Sequence, residues 1–318
     1  MNYMFYYCLK LTSLDLSSFK TVKVENMFYM FYYCKSLAHL DISNFDTTRL
    51  TTMERMFYYC TSLTSINLLN FDTSNVVKMD SAFSFCSNLT SLDLSNFKTS
   101  KITTSANMFT NCASLTELDC SSFDTSNVQS MEGMFLGCTS LTRLDVSSFD
   151  TRKVSNMNQM FYNCNSLTSL NLANFRGNNV FRMEYMFKDC HKLRYLDMSN
   201  FEGNPSQMSS LFANCYSLEE LKINKFITDR VSSAYFLFQN CYSLKSLDLS
   251  SFTLKSSTML FQIFDNCYSL TSINLSNLQT SNVKSMIGMF SNCGSLTSLD
   301  LSHFITSKVT DMSSMFSN

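Results

Sequence analysis

The chain contains no tryptophan, one proline, six glycines and three histidines among 318 residues. Scattered glycines make no phosphate-cradling loop, which argues against a nucleotide-binding enzyme. Formal net charge is -1, from 24 Lys and Arg against 25 Asp and Glu, and no run of like charges interrupts the chain. Little is left to attract a nucleic acid or an anionic membrane surface. The longest apolar run, residues 27–34, is far short of the ~20 residues that span a bilayer. No charged head with an apolar stretch behind it marks a secretion signal.

Cysteine is plentiful by contrast, with thirteen in all. Cys8, Cys34, Cys60, Cys86, Cys112, Cys138, Cys164 and Cys190 stand 26 residues apart; one step of 25 leads to Cys215, and Cys241, Cys267 and Cys293 resume the interval. Only Cys120 lies out of phase. A period of this size signifies a solenoid, so residues 1–318 read as a single elongated unit of about twelve repeats. Met1 aligns with the repeating Met27, and the chain stops one residue before the next cysteine is due. An excerpt of a longer array, uncapped at both ends, is the expectation, with end-to-end self-association as a consequence.

Each repeat has two rhythms. Leucine follows every in-phase cysteine by three residues, from Leu11 and Leu37 to Leu296. The stretch after it, as in Leu92-Asp93-Leu94, alternates with the period of two of a half-buried strand, and a phenylalanine such as Phe97 closes it. Before the cysteine the apolar spacing is i, i+3, i+4, i+7, as in Met131, Met134, Phe135 and Cys138, which predicts a short helix. Asp124 to Asn127 supply oxygens suited to its N-cap. Asn111, Gly137, Asn163, Asn214, Asn240, Asn266 and Asn292 suit the left-handed residue that ends it. The fold class is therefore α/β, with a parallel sheet on one side and short helices on the other. Strands about 4.8 Å apart against helices roughly 10 Å across would bend the stack and make the sheet concave. In the 25-residue repeat, Gly203-Asn204-Pro205 predicts a lost or deformed helix beside an intact strand at residues 196–198.

A free thiol behaves as a small buried hydrophobe, and filling a tight apolar corner is the expected role of the cysteine column. Disulfides between neighbouring rungs fall within the tolerated Cα range, although side chains pointing the same way make the torsion awkward. Metal ligation is poorly supported, because the Cys-x₂-Cys spacing of zinc sites never occurs. Cys120 replaces a strand leucine and reads as core.

The pattern from Met134 to Val154, with its Met-Phe-x-x-Cys and Leu-x-x-Leu-x-Leu segments, resembles that of the BspA-type leucine-rich-repeat surface proteins. The resemblance covers the whole chain. It implies a secreted or cell-surface location and adhesion to proteins, cells or matrix; the periodicity itself implies a binding scaffold and names no ligand.

Chemistry is sparse. His39, His191 and His303 occupy different phases of widely separated repeats, so no histidine-based catalytic constellation is expected. Catalytic residues, resident metals and cofactors are all expected to be none. The column Asp15, Asp41, Asp93, Asp119, Asp145, Asp197, Asp248 and Asp300 reads as a solvated polar face, with a bound cation or raised pKa values as the sharper alternative. Most rungs offer only Ser, Asp or Asn outward. Long charged and aromatic groups break that monotony at Glu117 and Arg143, at Tyr195, and at Glu220 and Lys222, flanked by Asp119, Asp145 and Asp197. These eight residues form the candidate binding site for a protein or glycan, since such groups commonly make specific contacts on solenoid sheet faces. Two aromatic groups compete: Tyr3, Tyr6, Phe28, Tyr29 and Tyr32 on the outer face of the first rungs, and the column Tyr216, Tyr242, Tyr268. The composite expectation is a non-enzymatic adhesin, with a filament or surface-layer protein as the alternative.

Overall fold

The computed structural model describes residues 1–317 and resolves into two compact units. The first comprises residues 1–153 with 164–167; the second comprises residues 154–163 with everything from 168 onward. In unit 1, β1 (Glu117–Asp119) pairs in parallel with β2 (Arg143–Asp145). Unit 2 holds β3 (Ser169–Leu170), β4 (Tyr195–Asp197) and β5 (Glu220–Lys222) in one parallel sheet, and β6 (Ser246–Asp248) with β7 (Ser272–Asn274) in another. Register follows the repeat: Leu118 faces Leu144, and Leu196 faces Leu221 across the 25-residue step. A single inward leucine per strand is enough to set it, since a one-residue slip would turn that leucine to solvent.

The segment before each cysteine corrects the expected helix. Among the described residues no helix forms. In the rung from Met27 to Cys34, three tight turns close by bonds from Met30 N to Met27 O, Tyr32 N to Tyr29 O, and Cys34 N to Phe31 O. The intervening amides of Tyr29, Phe31 and Tyr33 donate instead to Glu54, Met56 and Tyr58 of the next rung at 2.7–3.1 Å. A helix would keep all these bonds to itself and needs roughly 10 Å of width. Here the ribbon side does not splay to that width: adjacent rungs are bonded amide to carbonyl, and every second amide is spent on the neighbour. The handedness alternates to match. Positions five and one before the cysteine are left-handed, as at Tyr29 (φ 57°) and Tyr33 (φ 61°), Asn107 and Asn111, or Gln262 and Asn266. The left-handed residue expected before the cysteine is therefore present, inside a ribbon of turns. The Asp124 oxygen expected to cap a helix accepts the amide of Ser126 at 3.0 Å and closes a turn.

This ribbon turns every apolar member of the pattern inward. Met131, Met134, Phe135 and Cys138 are all buried. The phenylalanines stack rung upon rung, with centroids 5.5 Å apart for Phe57 and Phe83, and 5.4 Å for Phe212 and Phe238. A second column runs through Phe201, Phe226 and Phe252. A third ladder is polar. Thr125 Oγ1 donates to Asp150 O at 3.0 Å and accepts from Asp150 N at 2.8 Å, and Thr280 repeats this with Ile305.

The 25-residue rung keeps β4, as expected. The outer segment, expected to be lost or deformed, is instead an intact turn ribbon, with Ser210 (φ 54°) and Asn214 (φ 63°) left-handed like their counterparts. The missing residue comes out of the link before it. There Pro205 is buried where other rungs place Val180 or Val231, whose amides close turns that proline cannot close. Gly177 and Gly203 stand in the threonine column because Phe201 fills that space. A Cβ on either would lie 2.3 or 2.5 Å from its ring.

Candidate functional site

The cysteine column is inert scaffolding. From Cys34 onward each thiol of the column donates to the carbonyl of the phenylalanine one rung back: Cys60 to Phe31 at 3.2 Å, Cys112 to Phe83 at 3.1 Å, Cys241 to Phe212 at 3.2 Å. All thirteen cysteines are free, and twelve are buried. Burial pushes the Cys138 and Cys241 thiols up to about 12, far from the low values of reactive thiolates.

The aspartate column is built for turns. Asp93 Oδ1 accepts the Ser95 amide at 3.0 Å, and Asp15, Asp119, Asp145, Asp248 and Asp300 do the same with the residue two further on. Those bonds hold Asp15, Asp93, Asp119 and Asp300 below the usual carboxylate range, not above it. Among the described residues no three His, Cys, Asp or Glu side chains are grouped to hold a metal ion.

The eight candidate residues fall into two clusters, one per unit. In unit 1, Glu117 pairs with Arg143 and Asp119 with Asp145 across β1 and β2. The Arg143 guanidinium lies 3.5 Å from Glu117 Oε2 with both side chains exposed, a geometry worth little. In unit 2, Tyr195 sits between Ser169 and Glu220, and Asp197 beside Lys222. Tyr195 Oη donates to Asp197 Oδ2 at 3.1 Å; Lys222 Nζ lies 5.5 Å from the Tyr195 centroid and 3.5 Å from Glu220 Oε1. The Tyr195 phenol and then Glu220 raise the Lys222 pKa, while the Ser199 donors hold Asp197 low. Both groups are charged at neutral pH.

Three charged residues beside this second cluster, paired with one another, escaped the sequence reading. Arg194 Nη2 reaches Glu219 Oε1 at 2.6 Å, and Lys245 Nζ reaches Glu219 Oε2 at 3.0 Å. Their signal was present, since the same phase holds threonine at Thr64, Thr90, Thr116, Thr142, Thr168 and Thr271. Nearby on the same rungs His191 stacks on Tyr216 at 4.4 Å, Tyr216 on Tyr242 at 4.9 Å, and Tyr242 meets Tyr268 at 5.3 Å. The other aromatic group assembles on the turn ribbon in place of the expected helix face: Tyr3 meets Phe28 at 5.4 Å and Tyr29 at 5.3 Å, Tyr6 stacks on Tyr32 at 5.0 Å, and Tyr58 extends that stack at 4.9 Å.

Parallel strands carrying Leu-x-x-Leu-x-Leu at a register of 26 residues, with one step of 25, define a leucine-rich-repeat solenoid. Within that class the chain belongs to the family described as Mycoplasma protein of unknown function, DUF285, matched at residues 1–91, 38–142, 77–201, 196–281 and 236–318. The repeat resemblance to BspA-type proteins accordingly stands. Among solved structures, the chain is similar to a leucine-rich cell surface protein from Faecalibacterium prausnitzii, at 21% identity over 79% of this chain and 77% of the other, with a TM-score of 0.35. It is also similar to a leucine-rich repeat protein from Bacteroides ovatus, at 19% identity over 92% and 82%, with a TM-score of 0.45. A comparison with curated proteins found no match. Among the described residues no helix is long and apolar enough to cross a membrane.

Proposed function

We propose that the protein is a non-enzymatic scaffold, exposed outside the cell, that binds a protein or glycan partner through the strand side of its rungs and serves in adhesion. One observation carries this reading. In unit 2 the outward positions, short and polar on most rungs, become two adjacent networks, one of Arg194, Glu219 and Lys245 and one of Tyr195, Asp197, Glu220 and Lys222. Exposed ion pairs of this kind add little to stability, whereas aromatic and arginine side chains are the commonest anchors at interfaces. In unit 2 the backbone amides and inward side chains of the turn ribbon go to ladder bonds and core packing, whereas the long charged and aromatic groups of the strand side face outward.

The test is retention on a panel of immobilised extracellular-matrix proteins and glycans. Wild type is expected to be retained by at least one member, and Arg194→Glu with Lys222→Glu to weaken that retention about tenfold or more, with a strong salt dependence in wild type. Retention indifferent to both reversals would rule out this face.

A further inference from the structure

Between β3 and β4 lies a depression of about 380 Å³, bordered by Ser169, Asn171 and Ala173 on one rung and by Tyr195, Asp197 and Asn200 on the next. Small-molecule sites typically run from about 300 to 1,000 Å³. It exists because of unequal neighbours. The register partner of Tyr195 on β3 is Ser169, too short to cover an aromatic ring, while on the β5 side Lys222 lies over that ring. One side of an exposed tyrosine is thus held by a cation and the other borders an open space.

We infer that this depression is a subsite for one pyranose ring of a neutral glycan, a refinement that rests on the strand-side reading above. A sugar has two chemistries at once, a C–H face and a belt of hydroxyls, and the site offers a complement to each. The negative face of the Tyr195 ring meets polarised C–H groups. Asp197 accepts from Ser199 N at 2.8 Å and from Tyr195 Oη at 3.1 Å, which orients a carboxylate that still has acceptor capacity for hydroxyls. Asn171 Oδ1 takes the Ala173 amide at 3.1 Å, which turns its amide nitrogen into the donor of the site. A carboxylate in the floor disfavours acidic sugars. A purely apolar group, by contrast, would strip water from Asp197 and Asn171 without replacing its hydrogen bonds.

The experiment is saturation-transfer difference NMR on the full chain with methyl α- and β-glycosides of glucose, galactose, mannose and N-acetylglucosamine. At least one glycoside should receive saturation, strongest at its ring C–H protons. Tyr195→Phe should bind within about threefold of wild type, whereas Tyr195→Ala, which removes the ring, and Ser169→Gln, which fills the space, should weaken binding about tenfold. Thermal melts of the three variants separate a lost site from a lost fold. No transfer to any glycoside, or transfer unchanged in a folded Tyr195→Ala chain, overturns the subsite. Retention of a protein that depends on Arg194 and Lys222, without any glycoside binding, overturns the subsite alone. Glycoside binding that is lost in Tyr195→Ala, alongside retention that ignores both charge reversals, keeps the subsite and removes Arg194 and Lys222 from partner recognition instead.

Discussion

The Cys138 thiol donates to the Phe109 carbonyl of the rung before it at 3.2 Å, and that carbonyl already closes the turn to Cys112 N. One oxygen therefore joins a turn to the next rung through sulfur. The folded chain should react slowly with a thiol reagent at every cysteine but Cys8, which alone is partly exposed. In denaturant without reductant all thirteen should react. A count reduced by pairs would contradict the free-thiol ladder.

The same thiols set an alkaline limit. Burial disfavours the thiolate and raises Cys60, Cys86 and Cys112 above the ordinary 9.0, and pushes Cys34, Cys138 and Cys241 up to about 12. A group raised on folding contributes stability that is complete below its unfolded pKa and lost as pH rises through the folded one. Denaturation midpoints should therefore fall between pH 9 and 12, and replacing Cys138 and Cys241 with Ala should flatten that fall.

Acid acts on the aspartate column. Bonds from the residue two positions on hold Asp41, Asp93, Asp119 and Asp300 below the ordinary 3.8. For a depressed carboxylate the stabilising contribution is present above its unfolded pKa and lost as pH falls through the folded one. Urea midpoints should decline once pH drops below about 4, and an Asp93→Asn chain should decline less, since the amide oxygen accepts the same Ser95 amide without titrating.

Two ladders differ in the way they fail. Phe238→Ala removes a fully buried ring from a stack and should cost about 3–5 kcal/mol. Thr125→Val keeps the volume but strands the Asp150 amide and carbonyl that the hydroxyl serves, at a cost of about 1–3 kcal/mol. Chemical denaturation of both variants measures the difference; a neutral Thr125→Val would mean that water takes over the hydroxyl's bonds.

Strand positions, inward leucines and the cysteine corner were legible in the sequence because a side-chain period survives any backbone that keeps those residues inward. The backbone itself was not. Met131, Met134, Phe135 and Cys138 fit a helical stripe and a turn ribbon equally well. The distinguishing signal was subtle: Ser81, Asn107, Gly133 and Gly288 occupy the centre of the would-be helix, where a left-handed turn is needed. The threonine ladder hid for a similar reason, since Asp-Thr-Ser-Asn reads as a helix cap until a neighbouring rung is placed beside it. Tyr195, Glu220 and Lys222 stood out as departures from a monotonous face, whereas Arg194, Glu219 and Lys245, which replace the threonine four residues after the cysteine, become legible as a linked set only once neighbouring rungs are placed side by side.

The central claim is that ladders on the ribbon side hold the rungs while the strand side of unit 2 recognises a partner. It is tested most directly by returning the patch to the short polar residues of other rungs, as Arg194→Thr, Tyr195→Ser, Glu220→Ser and Lys222→Asp in one chain. Melting temperature and retention on the panel of extracellular proteins and glycans are then measured side by side. The expected result is a melting temperature within a few degrees of wild type, as for surface changes of about ±0.5 kcal/mol each, together with loss of retention. Unchanged retention at unchanged stability would contradict the claim.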